Sequence, residues 1–273
     1  MAITIDQSFI TQFGDEVKHS YQSASRLLGA VRKREGVVGN STRFQKLGAV
    51  TAYTKTRNAD LTVLEPAHTY TDVTLADSYA TVLVDDLDLL KTNVDIKQEY
   101  TKTVSYAIGK KIDDVIITAL TAGSVTATTN SGAMTVARWL EVKRAFDDGI
   151  VPADGRTIVF GGNAMEDLLN TTGITSSDYN SVKALVRGEI DTFLGFKVVE
   201  VPTSYLTLNT TPTPDTRVNL AFHRDALGVA IGSNMKTFIE WSPDKHAWWI
   251  KGIVSLGASI VDTAGVIEFE VDI

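Results

Sequence analysis

Four histidines, His19, His68, His223 and His246, are the first residues to test for chemistry, because an imidazole can ligate a metal or move a proton near neutral pH. No two of them stand at the spacing that presents a pair of ligands to zinc. Asp85, Asp86 and Asp88 offer oxygens to a divalent cation, yet neither the turn glycine nor the closing glutamate of a calcium loop follows. These carboxylates read instead as a helix start, facing the positive end of the helix dipole. Gly161-Gly162, between the apolar run 157–160 and a helical segment at 164–169, has neither the third glycine of a dinucleotide turn nor the Lys-Ser/Thr of a phosphate loop. It reads as a plain strand, turn and helix. There is no Gly-x-Ser-x-Gly elbow, no cysteine nucleophile and no carboxylate pair that stands out from the acidic surface. Trp248 and Trp249 could carry a planar ligand, but neighbours on a strand point to opposite faces, so the pair reads as packing. The residue types thus name no catalytic group, no metal site and no cofactor.

Composition points the same way. The chain has 273 residues, 44% of them hydrophobic, enough for one large or two smaller folded units. It has no cysteine, so stability has to come from packing and assembly rather than disulfides. No apolar run approaches the roughly 18 residues of a membrane span, and the first residues lack a secretion signal, so a protein made in a cytoplasm is expected. The glycosylation sequons at Asn40, Asn170 and Asn209 are then chance matches. Net charge is −7, unevenly spread: residues 1–60 hold nine Lys and Arg against five Asp and Glu, and the rest hold seventeen against twenty-eight. An acidic body argues against tight duplex binding, and the few aromatics are not interleaved with cations as in a single-strand groove. The one basic run, Arg32-Lys33-Arg34, reads as a solvated or subunit-contacting loop.

The elements that would have to position any site are unusual. Phe13, Val17 and Tyr21 fall at helical spacing in an N-terminal arm, closed by Gly36-Val-Val-Gly39. Residues 41–47 read as an extended strand and 68–75, rich in Thr and Tyr, as its returning partner. The roughly twenty residues between form a polar tip that gains little from burial in its own subunit. A buried strand is expected at 78–84. The segment 94–122 is one long helix, with Asp95 as cap, Gln98 in capping-box spacing and a stripe of Val104, Ile108, Ile112, Val115 and Ala119. Lys97 and Thr101 interrupt that stripe, so the first turns lie where solvent or another subunit covers them. A flexible link follows at 122–131, then a helix over 136–146 with Val136 and Leu140 on its apolar spacing, closed by Gly149 and Pro152. Strands are expected at 157–160, into Pro202, at 218–222, at 227–231 and from 237 onward, with an exposed Thr/Pro loop at 203–214.

In order, several stretches resemble the major capsid proteins of tailed bacteriophages, the Hong Kong 97 type, and most closely those of short-tailed phages. They are Phe13-Gly-Asp-Glu-Val17, Phe44-Gln-Lys-Leu-Gly48 through Ala52-Tyr53, Val82-Leu-Val-Asp-Asp-Leu-Asp88, Asn93-Val-Asp-Ile-Lys-Gln-Glu-Tyr-Thr101, Leu194-Gly-Phe-Lys-Val-Val-Glu-Val-Pro202 and Phe222-His-Arg-Asp-Ala-Leu-Gly228. No single segment is a strong motif; the ordered set carries the likeness.

The resemblance implies an α+β fold in four parts: an N-terminal arm over 1–35, an extended loop over 36–72, a peripheral domain over 73–150 built on a spine helix and joined by a late strand near 245–262, and an axial domain over 151–240 plus the C-terminal tail. It implies a structural subunit and not an enzyme, self-assembling into pentamers and hexamers of an icosahedral head around double-stranded DNA that it binds without sequence preference. Expected partners are copies of itself, a separate scaffolding protein, a portal protein and, as a further candidate, a decoration protein; no membrane is involved. The expected place is the virion capsid, assembled in the host bacterial cytoplasm. The expected intersubunit contacts are Phe44, Lys46, Tyr53, Lys55 and Arg57 in the loop and Arg32, Lys33 and Arg34 ahead of it. An encapsulin-type compartment shares the fold and is the alternative; a soluble α/β enzyme is a third class.

Overall fold

A computed structural model describes residues 25–87, 96–123, 125–126, 132–170, 192–210 and 214–273. In chain order the first elements are β1 (Arg32–Glu35), β2 (Ser41–Leu47), β3 (His68–Thr74), β4 (Ala76–Asp85), α1 (Ile96–Ala122), β5 (Val125–Thr126), α2 (Val136–Asp148) and β6 (Arg156–Phe160). There follow α3 (Gly162–Asn170), β7 (Thr192–Phe193), β8 (Phe196–Glu200), β9 (Leu208–Asn209), β10 (Thr216–His223), β11 (Leu227–Ser242), β12 (Ala247–Ile260) and β13 (Val266–Asp272). The architecture is α+β. Phe13, Val17, Tyr21, His19 and the cap Asp95 lie outside the described residues.

Two sheets share the chain. One has the order β1-β11-β12-β4; the other runs β5-β13-β10-β6-β8-β7 with β9 on β10, and β2-β3 stands apart as a hairpin. α1 is the piece common to both sheets. At 1.5 Å per residue its 27 residues span about 40 Å. Val104 packs with Val84 of β4 and Ile250 of β12. Further along, Ile108, Ile112, Ile116 and Leu120 join a cluster holding Val254 and Leu256 of β12 with Val159 of β6 and Leu220 and Phe222 of β10. Side chains buried as fully as Ile116 and Leu120 each contribute about 1.5–3 kcal/mol. The helix tolerates its Ser and Thr because their hydroxyls donate back to carbonyls one turn earlier, Thr101 to Lys97 and Ser105 to Thr101 among them.

The expected stripe on α1 holds as far as Ile112 and then shifts. Ile116, Ile117 and Leu120 are buried, whereas Val115 and Ala119 are half-buried. Steps of four residues advance by 400°, so the buried line rotates around the helix as it passes from one sheet to the other. Lys97, expected under solvent or another subunit, lies with its Nζ 3.6 Å from the centre of the Trp248 ring.

Several other expectations need correction. The strand at 78–84 is one-sided: in β4, Val84 is buried, while Tyr79 and Leu83 on the other face are exposed. It is an outer strand of its sheet, covered by α1 on one face alone. Residues 125–126 of the expected flexible link form β5, parallel to β13. In the loop 203–214, Leu206 is buried and β9 pairs with β10, so the Thr/Pro composition hides an anchored stretch. Leu140 is exposed; α2 turns Trp139, Val142 and Phe146 inward. Trp139 sits edge-on to Phe160, Phe193 and Phe196 at 5.9, 5.0 and 6.0 Å, so aromatic edges decide which face α2 buries. By packing, α2 lies on the seven-stranded sheet, and β11 pairs in the four-stranded one.

Candidate assembly surface

The surface worth testing for function begins where the chain leaves the body. The carboxylate of Asp113 on α1, buried, accepts from the Ser25 hydroxyl at 2.7 Å and from the N–H groups of Arg26 at 3.0 Å and Leu27 at 3.2 Å. Three donors compensate the burial of the charge and fix the position of residues 25–27 on the spine. From there the basic run Arg32-Lys33-Arg34 forms β1 rather than a loop, parallel to β11 with Arg32 opposite Gly228. All three side chains are exposed. Arg32 lies over the Phe44 ring at 5.9 Å, Lys33 pairs with Glu35 at 2.7 Å, and Arg34 donates to the Thr42 hydroxyl and the Arg43 carbonyl at 3.3 Å.

The hairpin is registered from Ser41 opposite Thr74 to Leu47 opposite His68, and closes with Gly48 N–H donating to the Ala67 carbonyl at 2.7 Å. Its root is clamped. Phe44 and Val73 are buried together against Ala230 of β11. A Cβ at Gly228 would stand 2.9 Å from the Phe44 ring, and one at Gly257 would stand 2.0 Å from the Thr74 carbonyl oxygen, so these two glycines let the root lie flat on the sheet. Lys46 pairs with Asp262 at 2.7 Å. Arg43 grips Asp72 across the strands with bonds of 2.8 and 3.1 Å and stacks on Tyr70 at 3.8 Å. The Arg43 guanidinium, through those hydrogen bonds, holds the Asp72 carboxyl below the usual carboxylate range.

Beyond the root the hairpin changes character. Every residue from 49 to 70 is exposed, and the tip holds little internal bonding besides a turn in which Ala59 N–H donates to the Thr56 carbonyl at 3.2 Å and the Thr62 N–H donating to the Tyr53 hydroxyl. The expected contact residues therefore divide. Tyr53, Lys55 and Arg57 sit on the exposed tip, Lys46 is engaged with its own subunit, and Phe44 is only 5% exposed and belongs to the home core. The strand alternates, and position 44 faces β11. The tip also carries Leu61, Val63 and Leu64, with Val63 82% exposed. Treating the tip as simply polar missed them, although Leu61-Thr-Val-Leu64 stands plainly in the sequence.

Catalytic geometry is a different matter. Among the described residues no three His, Cys, Asp or Glu side chains gather as metal ligands. His223 is a capping group, its Nδ1 accepting from Asp225 N–H at 3.2 Å while Nε2 lies 2.8 Å from the Asp154 carbonyl. His246 stands edge-on to Trp241 at 5.0 Å, and Gly161 N–H is held by Asn219 Oδ1 at 3.3 Å rather than opened to a phosphate. An apolar cavity of about 340 Å³ beside α1, lined by Leu28, Tyr106, Ile112, Met235, Val254 and Leu256 among others, has no convergent charged groups. No helix among the described residues is long and apolar enough to cross a membrane.

The described surface thus combines a clamped hairpin with an exposed tip and a spine helix shared by two sheets. A family model described as phage capsid protein matches residues 5–272. The chain belongs to the phage capsid protein family. No curated protein matches it. Among solved structures, it is similar to one from Mycobacterium phage Che8, with a TM-score of 0.77 and 20% identity over 96% of this chain and 97% of that one. The capsid of the Cyanophage P-SCSP1u gives 0.77 at 16% identity, covering 99% and 95%. The capsid of Helicobacter pylori bacteriophage KHP30 gives 0.75 at 10% identity, covering 99% and 98%. At such identities the likeness speaks for the fold, and the family match speaks for the role. This phage capsid protein is a structural subunit of the virion shell.

Proposed function

We propose that this chain is the major capsid protein, building pentamers and hexamers of an icosahedral head around double-stranded DNA, and that the hairpin over 41–74 is its intersubunit arm. The observation that carries the reading is the unbroken exposure of 49–70 beyond a root that is buried and clamped. A segment that buries nothing at home leaves its side chains available for burial on a neighbouring surface. In this reading Tyr53, Lys55, Arg57 and the apolar Leu61, Val63 and Leu64 touch the neighbour, with Arg32, Lys33 and Arg34 beside them. The four-stranded sheet and α1 form the peripheral part, and the seven-stranded sheet with α2 and α3 the axial part. A separate scaffolding protein, a portal and a decoration protein are proposed as partners during assembly in the host cytoplasm. The acidic body leaves packaged DNA free to slide, since it repels phosphate.

The test replaces 49–67 with a short glycine-rich turn. The variant should keep its helical circular dichroism and its melting temperature yet sediment as subunits or single capsomers where the parent, with scaffold supplied, sediments as shells. Normal shells from the variant would sink the assignment of this segment as an intersubunit arm.

A further inference from the structure

The end of α2 is built in a way its own subunit does not need. Its C-cap is Gly149, at φ −77° and ψ 2°. The Ile150 N–H donates to the Asp147 carbonyl at 3.0 Å and the Val151 N–H to the Phe146 carbonyl at 3.0 Å. These are the two bonds of a Schellman closure, in which the residue after the cap turns left-handed and the next one makes an apolar contact back to the last turn. Val151 does so, packing against the cluster that holds Phe146. The left-handed residue is Ile150, at φ 54°. A β-branched side chain crowds the backbone there, and glycine or asparagine is the ordinary occupant. The glycine the sequence does supply, Gly149, stands one position early, at a φ that does not call for glycine.

Among the described residues no packing offsets that strain, because Ile150 is 90% exposed. A lone exposed isoleucine is unremarkable and a strained loop residue is tolerable, but here one side chain carries both costs at a position where asparagine would remove both. We propose that Ile150 is an apolar knob presented to a second copy of this chain. The inference rests on the reading of the chain as a shell subunit, in which identical chains are the most frequent neighbours. Its surroundings fit a copy of an acidic chain. The two adjacent carboxylates are engaged at home, Asp147 by Arg156 at 2.8 Å and Asp148 by Arg144 at 3.4 Å, which reduces the charge an approaching copy meets. The knob stands on the rigid end of a helix, so it is held out without further ordering.

Two substitutions in the full chain test this. Ile150→Asn suits the left-handed conformation and removes the apolar side chain; Ile150→Leu removes the β-branch and keeps it. For Ile150→Asn, subunits from dissociated particles should melt about 2–4 °C higher than the parent, while the subunit concentration needed for shells rises about tenfold. Ile150→Leu should assemble at the parent concentration. Stability of the subunit and stability of the shell therefore move in opposite directions, which a purely structural residue does not produce. Shells from Ile150→Asn at the parent concentration would overturn the proposal, as would equal losses in both variants. A parent that forms no shells under the same conditions would instead count against the proposed function, and the knob would fall with it.

Discussion

The root and the tip of one hairpin differ more than the two sheets do. At the root, Phe44 and Val73 are buried on β11, and a backbone carbonyl lies where a single Cβ at Gly257 would collide with it. Twenty residues on, Val63 is 82% exposed and the chain makes almost no contacts of its own. Both ends are rich in Thr, so composition does not separate them. What separates them is a second surface: the root has β11 and β12 beneath it, and the tip has nothing within the described subunit.

Three measurements break or sharpen that contrast. The largest effect is expected at Gly257. A Cβ there meets the Thr74 carbonyl oxygen, which is backbone and cannot rotate away, so Gly257→Val should cost more than about 3 kcal/mol and lower soluble yield. Parent-like stability by urea unfolding would mean that the root is loose. Phe44→Ala comes next, at about 3–4 kcal/mol for a buried aromatic emptied from a small cluster. It should lower the urea midpoint of the isolated subunit, whereas an intersubunit Phe44 would leave the subunit untouched and weaken shells alone. The smallest effect concerns pH. Asp72 titrates lower folded than unfolded, so its contribution is present above the ordinary carboxylate range and disappears as pH falls through the folded value. Proteolysis of the parent at the root by an acid-active protease should therefore be slow at pH 5 and rise as pH falls through the lowered Asp72 carboxyl, and Asp72→Asn should show the raised cutting already at pH 5. Identical acid profiles for parent and variant would remove Arg43–Asp72 as a clamp.

Much of the arm was legible in the sequence. The strands expected at 41–47 and 68–75 appear as β2 and β3, and the helix expected at 94–122 is described as Ile96–Ala122. Alternation and periodicity are local, and the chain states them directly. Less legible was anything settled by a partner far along the chain. Phe44 could not be assigned inward before β11 was known to lie under it, and Trp139 rather than Leu140 turns in because Phe160, Phe193 and Phe196 wait there. The helix end expected at Gly149 is found there, Gly149 being the C-cap, while the hydrogen bonds place the left-handed turn on the next residue, Ile150.

β3 passes into β4 through the single residue Leu75, and β4 is registered with β12 from Ala76 opposite Leu256 to Asp85 opposite Ala247. The hairpin is thus a cable spliced into the sheet rather than a flap hinged on it. Tension applied at the tip therefore reaches that ladder through one residue of chain, after the contacts of the root.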